Sequence, residues 1–162
     1  MKHDKHSTDS PDAVARTKGE WNIADSRALY HVDAWGQGYF GVNELGHVVV
    51  RPEQNADRSI DLYDVVQGLK ARDLTAPVVV RFPGILAHRL RQLNDAFVRA
   101  IAENEYQNRY AAVYPIKVNQ QRLVVEEVFR YGSEFGFGLE AGSKPELLAV
   151  MAMSENSPDR LI

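Results

Sequence analysis

An α/β fold built on a parallel sheet is predicted by three observations in this 162-residue chain. Short apolar runs rich in β-branched or aromatic residues begin near residues 78, 110, 136 and 160. Between them lie segments whose apolar residues recur three and four apart, the spacing of an amphipathic helix. The repeat of about 24 to 32 residues is that of βα units, whose strands lie parallel in an open sheet or a closed barrel. A (β/α)8 barrel takes about 250 residues. The stretch from Pro77 to Ile162 suffices for three units and a stub, and the closing Arg160-Leu161-Ile162 looks like the start of a fourth strand. The expectation is an incomplete (β/α)8 barrel, an N-terminal fragment, preceded by a helix and a β-hairpin.

Residues 1–20 are polar, with Lys, His, Asp and Ser intermixed, and are expected to be a disordered tail. His3 and His6 there are a weak metal signal. The N-terminus lacks the apolar region of a secretory signal. A second segment, 21–75, begins with a short helix over Trp21–Tyr30. "YFGVNELGHVVVRP", Tyr39–Pro52, follows as two β-rich runs around Asn43-Glu44-Leu45-Gly46, a hairpin loop with Gly46 available for positive φ. The aromatics of "DAWGQGYF" are read as packing rather than a ligand platform. Leu62, Val65, Val66 and Leu69 then share one helical face.

The third segment, 76–162, holds the βα units. "PVVVRF", Pro77–Phe82, is expected as a strand buried on both faces. Its helix carries Leu86, Leu90, Leu93, Phe97 and Ile101 on one stripe. "RYAAVYPIK" is the second strand, and its helix packs through Val124, Val128 and their neighbours and stops at Gly132. "FGFGLEAG" is the third strand. Its helix is opened by Ser143 and Glu146 in capping-box spacing, with Pro145 in the first turn.

Composition narrows the function classes. A net charge of −3 offers no basic field for nucleic acid or an anionic membrane, and no apolar run reaches the ~20 residues of a bilayer span. With no cysteine, thiolate metal sites and cysteine nucleophiles are excluded. A cytoplasmic protein is expected. One residue stands out against this background. Of six lysines only Lys117 falls in an apolar strand, at its C-terminal end, where α/β barrels assemble their sites. Alternation places Val113, Pro115 and Lys117 on one face and Ala112, Tyr114 and Ile116 on the other. Desolvation there would free the amine as a nucleophile toward an aldehyde. A lysine that snorkels out of the strand end or pairs with Glu140 fits the same position.

At these residues the chain resembles a known family. "YPIKVNQ" followed by "GLEAGSKPELLAVMA" is similar to the biosynthetic arginine decarboxylases, which use pyridoxal 5′-phosphate (PLP) and have the alanine-racemase-like barrel. "DAWGQGYFGVNELGHVVVRP" looks like their N-terminal signature, and "FPGILAHRLRQLNDAF" resembles their first barrel helix. The resemblance runs from about Leu29 to Ile162. It implies that Lys117 holds PLP through a Schiff base and that Glu140 lies near the cofactor. It also implies decarboxylation of L-arginine to agmatine and CO2, on the route to putrescine and spermidine, by a homo-oligomeric enzyme. Magnesium is implied as well, although the sequence shows no ligand cluster for it. The implied hairpin partner is a C-terminal β domain, and the fragment alone is expected to be inactive. The rivals are a diaminopimelate, ornithine or carboxyspermidine decarboxylase of the same fold, a non-catalytic PLP-binding module, and an open α/β domain without cofactor. The segment "WGQGYFGVNELGH" argues against the first two.

Overall fold

The computed structural model describes residues 19, 21–154 and 159–162, so the expected tail over 1–20 lies outside the described residues apart from Gly19. The first helix is α1 (Ile23–Leu29), capped by Asn22, whose side chain accepts from the N–H groups of Ala24 and Asp25. A second short helix, α2 (Val32–Gly36), follows at once. It is bracketed by His31 and Gln37, both left-handed, which turn the chain sharply at each end.

The hairpin forms as expected. Strands β1 (Phe40–Val42) and β2 (Val48–Val50) pair antiparallel with Phe40 opposite Val50 and Val42 opposite Val48. Gly46 sits at φ 79° in the loop, and the Asn43 side chain accepts from the N–H groups of Leu45 and His47. A third strand absent from the sequence reading, β3 (Ile60–Asp61), pairs with β2 and leads into α3 (Leu62–Lys70). Asp61 holds this corner together. One carboxylate oxygen accepts from the Tyr63 N–H at 2.8 Å, and the other meets Asn43 Nδ2 at 2.8 Å and His47 Nδ1 at 2.9 Å.

Partial burial pushes the Asp61 carboxyl up, but the bonds from His47, Tyr63 and Asn43 outweigh it and hold the carboxyl below its ordinary 3.8. A carboxyl lowered on folding contributes stability that is present above its unfolded pKa and lost as pH falls through the folded one. Acid should therefore loosen this corner only below about pH 4. In Asp61→Asn the acid limb of an unfolding titration should become shallower. An unchanged limb would mean that Asp61 does not couple to folding.

The helix α4 (Pro83–Glu103) forms, and buried Tyr39 reaches it from the preceding segment, its hydroxyl 2.8 Å from His88 Nδ1. Only Leu90 of the apolar stripe is buried. Leu93 and Phe97 stay exposed, and Phe97 instead stacks on Tyr110 with ring centroids 3.9 Å apart.

The parallel element is smaller than expected. Strands β4 (Val113–Pro115) and β5 (Gly138–Glu140) pair parallel, with Val113 opposite Gly138 and Pro115 opposite Glu140. Helix α5 (Arg122–Tyr131) makes the crossover, ends with Gly132 as its C-cap as expected, and buries Val125 and Val128, with a separate 3-10 turn following over Gly132–Phe135. Helix α6 (Lys144–Ser154) follows β5. The core of this unit is Ile116, Val125, Leu139 and Val150, flanked by Tyr114, Phe129, Ala141 and Met153.

Two expectations need correction here. Pro77–Phe82 pairs with nothing, and Val79 is 80% exposed, so the first expected strand is not in the sheet. A β-branched run becomes a strand only where a partner supplies ladder bonds and a covered face, and neither meets it. The fourth strand is also incomplete. Leu161 O accepts from Leu139 N–H at 3.0 Å, while the Gly138 N–H turns the other way to Ala112 O at 2.8 Å. Thus β5 is bonded on both edges, although residues 159–162 form no regular strand. The fold is mixed α/β with small open sheets, and a barrel, complete or partial, is not established by it.

Candidate active site

The ends of β4 and β5 place the two sequence candidates together. Pro115 is the last residue of β4, an edge strand in the parallel pair, where a missing N–H is tolerated. Beyond it Ile116–Val118 curls into one 3-10 turn. Ile116 turns inward to the core at 3% exposure, and Lys117 falls on the opposite, outer side. Lys117 is therefore not the last strand residue, nor is its amine buried. The face of β4 that carries it also leaves Val113 exposed, because no described element covers that face. Among the described residues Lys117 has no ion pair, which excludes the pairing with Glu140.

Glu140 ends β5 in register with Pro115, so its carboxylate stands at the same C-terminal edge as Lys117 and is half-buried. Two arginines of the intervening helix are already paired. Arg122 meets Glu126 at 2.5 Å and Arg130 meets Glu127 at 2.6 Å, both along α5. In each case the hydrogen bond to the glutamate holds the guanidinium above its ordinary range.

Sequence reasoning treated Glu146 only as a cap, and the structure gives it more. Ser143 Oγ accepts from the Glu146 N–H at 3.4 Å, the cap expected from spacing. The glutamate, however, reaches past Ser143 to the Gly142 N–H at 2.7 Å. Its other oxygen takes a bond from Gln120 Nε2 at 3.4 Å. Gln120 follows Lys117 by three residues, a proximity that spacing along one helix cannot reveal. A cleft of about 560 Å3 opens between α5 and α6, and Gln120 and Glu146 stand on its rim.

Lys117 offers an exposed primary amine without a counterion, beyond the end of β4, and Glu140 a half-buried carboxylate at the end of β5; an amine of this kind is the group that the aldehyde end of PLP takes. Nothing in the described residues is assigned to the phosphate end. No group of three or more His, Asp or Glu that could hold a metal ion comes together among the described residues. No helix among them is long and apolar enough to cross a membrane.

No family model matches the chain. It is 49% identical over 147 residues to biosynthetic arginine decarboxylase 1 of Synechocystis, covering 90% of this chain and 21% of that protein. It is 51% identical over 134 residues to the biosynthetic arginine decarboxylase of Chromobacterium violaceum, covering 83% and 21%. The crystal structure of the biosynthetic arginine decarboxylase of Campylobacter jejuni superimposes with a TM-score of 0.69 at 33% identity, over 76% of this chain and 20% of that one. The chain thus spans about a fifth of these curated relatives' length. The resemblance carried by the three motifs is borne out, and the coverage fits a segment of a longer enzyme.

Proposed function

We propose that these residues are part of a PLP-dependent arginine decarboxylase that converts L-arginine to agmatine and CO2, in putrescine and spermidine formation. The observation that carries the reading is the parallel β4–β5 pair, which sets Lys117 and Glu140 at one edge in a chain similar to enzymes named for that reaction. When bound, PLP supplies an aldehyde for a primary amine and a ring that accepts the electron pair left as CO2 departs. Lys117 would hold it through Nζ, and the exposed turn that carries Lys117 leaves that amine open to solvent. Glu140 would border the cofactor and offer it a hydrogen-bond acceptor. Ile116 and Leu139, packed behind these two residues, keep both strand ends rigid.

In this reading residues 21–75 form a helix and hairpin module joined to a C-terminal β domain, and 76–162 begin the PLP-binding barrel. The whole enzyme is cytoplasmic and homo-oligomeric and takes magnesium besides PLP. Assays of the full-length protein with arginine, ornithine and diaminopimelate test the substrate. Arginine should be preferred by at least about a hundredfold, since a site built for a guanidinium leaves polar groups unpaired around a shorter amine. Preference for either other amino acid would overturn the reading.

A second expectation concerns the 162-residue chain on its own. Lys117 is open to water, whereas decarboxylation requires a site that excludes it. Val78, Val79, Val80, Val113 and Ile162 are exposed together with Leu123 and Leu148. Added arginine and PLP should give no agmatine, and ANS fluorescence should rise on binding this apolar surface. Measurable turnover would show that the site needs no further cover.

A further inference from the structure

We propose that Glu146 is a positioning residue, which ties the turn carrying Lys117 to the turn that follows Glu140. The inference rests on the assignment of Lys117 as the cofactor lysine. Glu146 lies in the first turn of α6, and Leu147 N–H closes that turn on Ser143 O at 2.9 Å. In an ordinary capping box the glutamate returns to the N–H of the cap residue itself. Here Glu146 Oε2 accepts instead from Gly142 N–H at 2.7 Å, one residue earlier, in the turn that leaves Glu140. Gly142 sits between the two acids, since a Cβ built there would lie 3.5 Å from Glu146 Oε2 and 3.6 Å from Glu140 Oε1.

The second oxygen distinguishes positioning from capping. Glu146 Oε1 accepts from Gln120 Nε2 at 3.4 Å, and Gln120 belongs to the segment that leaves Lys117. Among the described residues this is the single side-chain hydrogen bond between residues 116–121 and residues 140–146. A helix cap accounts for the Gly142 bond but gives no reason for Gln120. At 3.4 Å the Gln120 bond is weak, so its effect is geometric. Two turns that could drift separately share one anchor on a regular helix, and a catalytic group displaced by an ångström loses most of its advantage. The bridge crosses the cleft between α5 and α6, which Gln120 and Glu146 both line.

The test uses the full-length holoenzyme with Glu146→Ala, Glu146→Gln and Gln120→Ala. Two quantities are read, the rate at which apoenzyme recaptures PLP and the pH midpoint of the holoenzyme's visible absorbance. Glu146→Ala and Gln120→Ala should each slow recapture about tenfold and move the midpoint. Glu146→Gln keeps an oxygen for Gly142 and an amide toward Gln120, which can turn its own, and should restore recapture to within about threefold. A role in capping alone predicts that Glu146→Ala lowers the unfolding midpoint while Gln120→Ala recaptures PLP like the parent, and that result overturns the inference. Mapping the borohydride adduct separates the two levels. An adduct away from Lys117 overturns the site assignment and this inference together, whereas an adduct on Lys117 with an unchanged Gln120→Ala overturns this inference alone.

Discussion

Borohydride reduction of the full-length enzyme should leave the pyridoxyl group on Lys117, and Lys117→Ala should lose decarboxylation by at least about a thousandfold, or ~4 kcal/mol of barrier. The size follows from the chemistry assigned to Nζ. Among the described residues the other lysines are Lys70, which ends α3, and Lys144, which begins α6. The same substitution should leave stability within about 0.5 kcal/mol, because the side chain is exposed and unpaired. Activity and stability are therefore expected to part company at this position. An adduct on Lys144, or a variant that keeps turnover, would remove Lys117 from the reaction.

Gly138→Ala should destabilise the β5 region by about 3 kcal/mol, at the upper end of the usual cost of overpacking. A Cβ at Gly138 would lie 2.1 Å from Leu161 O and 2.7 Å from Leu161 Cβ. Backbone must move to admit it, and the movement pulls Leu161 O away from the Leu139 N–H. Leu139 itself is fully buried, so Leu139→Ala should cost 2–5 kcal/mol, roughly, through the cavity it leaves. At Gly46 the outcome should differ in kind. Nothing lies within 4 Å of a Cβ there, and only the positive φ resists alanine, for a cost of about 1 kcal/mol. Denaturant titrations of the three variants check the order. A Gly138→Ala protein as stable as its parent would mean that residues 159–162 do not press on β5.

The elements legible in the sequence were those whose signal is local. Asn22 before α1, Gly46 in the hairpin and Ser143 before α6 act on neighbours within three residues, and each did what its type dictates. Helix α4 appeared from its spacing alone. What failed depended on partners far along the chain. The valines at 78–80 have the composition of a buried strand, yet composition cannot supply the neighbour that would bury them. Lys117 was placed on the correct face, since Tyr114 and Ile116 pack inward. Its expected burial failed because that needs a cover over the face of β4. The β3 strand was missed because two residues carry no periodicity. Glu146 was visible as a cap, but its reach to Gln120 exists only once β4 and β5 lie side by side.

The crossover between β4 and β5 also sets an order in time. Val42 meets Val48 across a five-residue loop that Asn43 can close on its own, whereas Val113 finds Gly138 only after all of α5 has formed and turned back. Local hairpins close in about 1–10 μs, and pairings of greater sequence separation come later because their chain entropy is lost before any contact repays it. During synthesis the hairpin, α4 and β4 leave the ribosome before β5 has emerged. The edge of β4 then waits, unpaired, for a strand about 25 residues downstream, a delay of one to five seconds at ordinary elongation rates. That interval, rather than the finished fold, is when Lys117 and the valines around it are most exposed to a wrong partner.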